Sequence, residues 1–193
     1  MGGQRFLRGA ALAGALLACQ SSAADSWEQF LRKPDATSFD ALARGLDGDQ
    51  CDWGDPVNKE MVPDSVRGRL FELISSGNEY AFVVALSTIK CFDGADLEDL
   101  FRSSGRFLER RPRRFLAAVA EKGISSSNVA SMAASVPTDD DIDGALVKVA
   151  NRIALLREID DENLRQVQAE SLRALERREQ NLRNVKASRD NRQ

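Results

Sequence analysis

Between residues 64 and 123 the apolar residues recur at helical spacing. The run reads DSVRGRLFELISSG, NEYAFVVALSTIKC, FDGADLEDLFRSSGRFLERR and PRRFLAAVAEKG. Leu70, Phe71 and Ile74 share a face, as do Phe82, Val83, Leu86 and Ile89. Leu97, Leu100, Phe101, Ser104 and Leu108 form the third stripe, and Phe115, Leu116 and Val119 the fourth. The pattern predicts successive amphipathic helices sharing one core. Their punctuation agrees: Gly77 suits a left-handed helix stop and Asn78 the next cap. Asp93-Gly94 turns the chain, Pro112 suits a first helical position, and Gly123 an end. Asp96, Glu98 and Asp99 fall in the first turns of the third helix, where its dipole favours acids, and Glu98 can pair with Arg102.

The flanks are helical too. Ser26 with Gln29 fits a capping box ahead of Trp27, Phe30 and Leu31, and Pro34 ends that helix. Thr37 or Ser38 then caps a helix with Phe39, Leu42, Ala43 and Leu46 inward. Residues 47–56, DGDQCDWGDP, have the composition of a loop. Beyond Gly123, Ser125–Asn128 start a short helix carrying Val129 and Met132, closed by Pro137. Thr138 caps a long one with Ile142, Leu146, Val149, Ile153 and Leu156 on one stripe. Residues 160–193 turn rich in Arg, Glu, Gln and Asn, with thinly spaced Leu and Val, and predict a charged surface helix that frays into disorder near Ser188. The fold class is therefore all-α, in stacked antiparallel helix hairpins. The domains are a leader (1–24), a helical body (25–159) and a charged helical tail (160–193).

Laid over itself at an offset of 33, the chain matches Ile74 with Phe107, Phe82 with Phe115, Val83 with Leu116 and Leu86 with Val119. That is the period of a helix-pair repeat. With LFELISSGNEYAFVVALSTI, this region resembles HEAT or armadillo-type helical repeats over about two repeat units. An irregular antiparallel bundle with short turns gives the same pattern. The resemblance implies an elongated stack that binds partners along one face.

Composition narrows the chemistry. The chain has no histidine, which excludes a Ser-His-Asp triad, a Cys-His dyad and a His-ligated zinc site. Carboxylate chemistry of the kind used on glycans remains open. Residues 1–24 read as an export signal: Arg5 and Arg8, then the apolar GAALAGALLA, too short to span a bilayer. One exit is cleavage after Ser22-Ala23-Ala24. The other is Leu16-Leu17-Ala18-Cys19, which looks like a bacterial lipoprotein box with Cys19 lipidated. Without Arg5 and Arg8, 25 basic residues face 30 acidic ones, which argues against nucleic acid as a partner. Cys51 and Cys91 then remain as a pair, and in an exported chain they predict a disulfide. Closing a loop of about 40 residues, it would stabilise the fold by roughly 3–4 kcal/mol.

Two constellations stand out. Asp139, Asp141, Asp143 and Gly144 match the start of a calcium-binding loop, but Ala150 stands where a bidentate carboxylate belongs. The same acids suit the first turn of a helix, so no metal and no cofactor is expected. Arg102, Arg106, Arg110, Arg111, Arg113 and Arg114 crowd one helix–helix corner. Arg110 and Arg111 suit a helix C-terminus, whereas Arg113 and Arg114 fall at an N-terminus, which disfavours cations. The alternatives are a solvated corner paired with Asp93, Asp96 and Asp99, or a docking patch for an acidic partner. Trp53 reads as a lid over the core or a stacking residue. These features lead to the expectation of a non-catalytic binding protein of the bacterial periplasm, free or lipid-anchored to the outer membrane. It would act by protein–protein contact, for example as an immunity or inhibitor protein against a secreted toxin. The rival expectations are a carboxylate enzyme on envelope glycans and an oligomeric assembly factor.

Overall fold

The computed structural model describes residues 23–44, 46, 64–137 and 141–191. Most of the expected leader, including Cys19, lies outside these residues, as do Cys51, Trp53, Thr138 and Asp139. Among the described residues the regular structure is entirely helical. The α-helices are α1 (Ala23–Arg32), α2 (Ala36–Ala43), α3 (Asp64–Ser75), α4 (Glu79–Ser87), α5 (Gly94–Arg110), α6 (Pro112–Glu121), α7 (Ser126–Ala134), α8 (Ile142–Arg157) and α9 (Arg165–Asp190). Short 3-10 turns at Ile89–Cys91 and Glu162–Leu164 precede α5 and α9.

Helix ends follow local chemistry. At the end of α3, Gly77 takes φ 90°. Its N–H donates to the Ile74 carbonyl, and the Asn78 N–H reaches back to Leu73 O at 3.0 Å. This pair satisfies carbonyls that the helix itself leaves open. Gly123, at φ 59°, repeats the device after α6. Asn78 caps α4 by accepting from Ala81 N, and its amide donates to Pro34 O, tying the α1–α2 corner to α4. Two caps differ from expectation. Asp35, not Thr37 or Ser38, caps α2, and Ser38 serves as the reciprocal partner of a capping box. The backbone hydrogen bond from Ser38, helped by Lys33, holds the Asp35 carboxyl below its ordinary value. In α1, which begins at Ala23, Ser26 and Gln29 are both helical residues and not a cap.

The helices pack as neighbours of alternate number. α1, α3, α5, α7 and α9 contact one another in succession, and so do α2, α4, α6 and α8. Successive helices α1–α2, α3–α4 and α5–α6 also touch. α3 and α5 run in the same direction, since Arg67 pairs with Asp96 near their starts and Arg110 Nε donates to Ser75 O at their ends. Phe82 of α4 sits at the middle of the core. It stacks on Phe107 of α5 at 4.3 Å and lies 5.6 Å from Phe115 of α6. All three rings are fully buried, so three helices are registered by one aromatic column, with about 0.5–1.5 kcal/mol per ring pair beyond simple burial.

The expectation of a separate C-terminal tail needs correction. Leu164, Leu175 and Leu182 belong to the same core cluster as the rest of the chain, and Ser171 and Ala174 are buried with them. α9 packs along α7 and α8. It stays helical past Ser188 to Asp190, where fraying was expected. Its far end is pinned by the pair of Lys186 with Asp143 at the start of α8, which raises the lysine above its ordinary pKa.

One buried charge ties several of these helices together. Arg152 of α8 has no exposed surface. Its Nε donates to Glu109 Oε1 of α5 at 2.9 Å, and its Nη2 lies 2.8 Å from the same oxygen. Nη1 donates to the carbonyls of Ala133 and Ser135, at the end of α7. A cation suits that position, because the last carbonyls of a helix lack intrahelical donors and carry the negative end of its dipole. The guanidinium also needs space against α5. A Cβ added to Gly105 would stand 2.6 Å from both terminal nitrogens of Arg152, so any larger residue there must displace the guanidinium from its partners.

Gly105→Ala should lower stability by about 1–3 kcal/mol, although the same change in an unconstrained helix is worth up to about 1 kcal/mol in the opposite direction. Glu109→Ala should cost about 3 kcal/mol, the low end for breaking a buried pair, because Glu109 is a quarter exposed. Urea unfolding followed by circular dichroism reads both. In an Arg152→Met background the Gly105→Ala penalty should disappear, and a penalty that persists would refute the steric assignment.

Candidate functional site

α5 presents arginine at positions 102, 106 and 110, four residues apart. That spacing puts them on one face of a helix, each about 6 Å along the axis from the next. Residues 105 and 109 sit one position earlier, about 100° around the helix, on the side that faces Arg152. The burial of Gly105 and Glu109 against α8 therefore turns the arginine stripe outward. The stripe lines an open groove of about 760 Å³ between α3 and α5. Phe71, Glu72 and Ser75 of α3, with Ser76 just after it, form the other wall, and Pro137, just beyond α7, also lines the groove.

The arginines of the stripe are held differently. Arg102, a quarter exposed, pairs with Glu98 one turn back and with Asp99. This is the intrahelical pair that the spacing predicts. Arg110 anchors its stem by donating Nε to Ser75 O at 2.9 Å, and its Cδ packs 3.3 Å from the Cβ position of Gly77. Arg106 is exposed, and among the described residues no carboxylate pairs with it. The acids at the groove are in part engaged: Glu72 pairs with Arg69, and Asp99 with Arg102. The result is a basic ridge beside a half-apolar wall.

The other arginines of the corner lie elsewhere. Arg113 pairs with Asp161 at 2.8 Å, and Arg114 with Glu79 at 3.3 Å. Both line a smaller recess of about 440 Å³ with Ala117, Asp161 and Leu164. Their placement at a helix N-terminus, unfavourable in isolation, is offset by these carboxylates from α4 and from the turn before α9. No sequence signal marks partners 48 and 35 residues away. Arg111 is exposed at the α5–α6 joint, and among the described residues it has no carboxylate partner. The corner thus divides: Arg102, Arg106 and Arg110 face the groove, while Arg113 and Arg114 stitch helices together.

Sequence reasoning grouped the arginines but did not find the groove. Its second wall comes from α3, and Phe71 reads from the sequence as plain core. Of the calcium candidate, Asp141 and Asp143 lie at the start of α8, and Asp139 lies outside the described residues. Asp141 caps α8 by accepting from Gly144 N at 2.6 Å, and Asp143 is paired with Lys186. Among the described residues no group of three or more His, Cys, Asp or Glu is arranged to hold a metal ion. Among them, too, no helix is long and apolar enough to cross a membrane.

The division of the corner has a measurable consequence. Replacing Arg113 or Arg114 by Gln should lower stability by less than about 1 kcal/mol each, as exposed pairs do, and a thermal melt monitored by circular dichroism reads it. Arg110→Gln should cost about 1 kcal/mol, because it removes a charge-assisted hydrogen bond to the end of α3. A reversed order, with Arg113 or Arg114 costlier than Arg110, would contradict the assignment. Compared with protein families, curated proteins and solved structures, the chain finds no match.

Proposed function

We propose that this is an exported, non-catalytic binding protein that acts by protein–protein contact in the bacterial cell envelope, of the kind that guards against a secreted toxin. The observation that carries this reading is the open α3–α5 groove, whose rim bears three arginines in register and whose opposite wall offers Phe71. A basic ridge beside a groove lined in part by apolar carbon suits a protein partner, and arginine is enriched at such contacts. The alternate-number packing of the helices supports a HEAT-like stack of helix pairs, an architecture suited to binding along one face. The positive, apolar and small-residue segments of the first 24 residues support export, ending either at Cys19 with a lipid anchor or after Ala24.

A disulfide between Cys51 and Cys91 belongs to the same reading. Cys91 is buried at the end of the turn before α5. Cys51 is the partner that an oxidising compartment would supply. A bridge there would fasten the segment joining α2 to α3 onto the approach to α5.

Two measurements test this proposal. In the first, the chain is purified from envelope fractions under mild cross-linking. A discrete partner should accompany the wild type and an Arg113→Gln control, and be lost from Arg106→Glu/Arg110→Glu, which circular dichroism should show to be folded with a melting temperature lowered only as far as the loss of the Arg110–Ser75 hydrogen bond requires. Release of soluble sugar from envelope glycan by the pure protein, abolished by a single carboxylate substitution, would overturn the non-catalytic reading. In the second, mass spectrometry of the native protein should find an N-terminus at lipidated Cys19 or at Asp25, together with a non-reduced peptide joining residues 51 and 91. An uncleaved chain with both thiols free would refute export.

A further inference from the structure

We infer that the occupant of the α3–α5 groove is an acidic protein segment whose carboxylates repeat about every 6 Å, matching the arginine stripe of α5. The inference rests on the binding reading above and specifies the chemistry of the partner.

The argument starts from what each arginine has left to give. Guanidinium carries five donors in a planar fork that matches a carboxylate in two-point contact. Arg106 has its full fork available to a ligand, since among the described residues no acid engages it. Arg110 commits Nε to Ser75 O. That bond fixes the direction of the side chain and lowers the entropy lost when its terminal nitrogens take a carboxylate. Arg102 is already shared between Glu98 and Asp99, so it contributes field more than new bonds. The two best-placed forks, Arg106 and Arg110, are therefore adjacent turns of one helix, and they set the spacing that a ligand must meet.

The rest of the lining argues against a simple anion. Phe71 and Pro137, both largely buried, contribute apolar lining to the groove, and the main chain of Ser75 and Ser76 lies at the carbonyl end of α3. Helix C-termini repel anions, so a small free anion is disfavoured toward that end. A peptide instead places its carboxylates on the α5 side and its apolar stems and main chain on the α3 side. Nucleic acid is a poor fit for an acidic chain, whose net charge is −3.

The test uses fluorescence polarisation at low ionic strength with the full mature chain. The probe is a fluorescein-labelled, end-blocked peptide with glutamate at every fourth position in an alanine background. Controls are the matching glutamine peptide and an isomer with its glutamates contiguous. The wild type should bind the spaced peptide at least about tenfold more tightly than either control, and binding should weaken with salt. Arg106→Gln/Arg110→Gln should lose that preference, while Arg113→Gln/Arg114→Gln, outside the groove, should keep it. Circular dichroism melts establish that each variant is folded. Equal binding of the spaced and contiguous peptides, retention of binding in Arg106→Gln/Arg110→Gln, or full displacement by phosphatidylglycerol vesicles would each overturn the inference. If the spaced peptide fails while an envelope partner is still lost from the charge-reversed groove, the binding reading stands and only the acidic, periodic occupant falls.

Discussion

The buried guanidinium of Arg152 is the constraint on which the later half of the fold depends. Taking a cation wholly out of water costs several kcal/mol, even after the protein relaxes around it. The structure offsets that cost with a carboxylate from α5 and two carbonyls from the end of α7. The guanidinium and its partners come from three separate places in the chain, and they can meet only in one relative arrangement of α5, α7 and α8. A purely apolar contact between the same helices would tolerate sliding, because burial has no direction. The ion pair does not. Its contribution to stability need not be large for it to select one packing over its neighbours.

That selection reaches the groove. Glu109 and Gly105 turn one side of α5 toward α8, and the residues immediately after each of them, Arg110 and Arg106, are carried onto the groove wall. The same guanidinium holds the Ser135 carbonyl, and Pro137 lies just beyond it at the groove's edge. The aromatic column of Phe82, Phe107 and Phe115 fixes α5 against α4 and α6 on its other side. The arginine stripe is thus presented by a helix clamped on two sides, while its own side chains remain solvated. A ridge held this firmly suits contact, because the backbone entropy has already been lost in folding.

Much of this architecture was legible in the sequence, and the reasons are local. The stripes of residues 70–119 name much of the core, because helical period is a property of neighbours, although they take in the partly buried Val83, Ile89, Leu97 and Phe101 and leave out Leu73, Val84 and Phe107. Gly77, Asn78, Pro112 and Gly123 mark their helix boundaries for the same reason. What escaped was non-local. Nothing in the local pattern singles out Arg152 or Gly105. Each is explained by the other, 47 residues away in the chain. The helical character of α9 was legible, but its packing was not, because it is joined to the core by leucines at 175 and 182 and by the small buried residues Ser171 and Ala174, which contribute little to any apolar stripe. The pairs of Arg113 with Asp161 and Arg114 with Glu79 hid in the same way, and left a stitched corner looking like an open one.

The overall charge also shapes how such a groove must work. The chain is acidic, so at long range it repels the acidic segment that its arginines would hold. At physiological ionic strength that repulsion fades over about 8 Å, less than the roughly 12 Å spanned by the stripe from Arg102 to Arg110. An approaching segment therefore meets the local field of the ridge only at close quarters. Electrostatic steering, which accelerates encounters between oppositely charged proteins, has little reach here. Discrimination must come from contacts made after encounter: the spacing of carboxylates against the two available forks, and the fit of apolar stems against Phe71. A net-acidic protein with one basic ridge is in this sense selective against loose attraction. It leaves most acidic surfaces unbound and rewards only those whose charges fall in register.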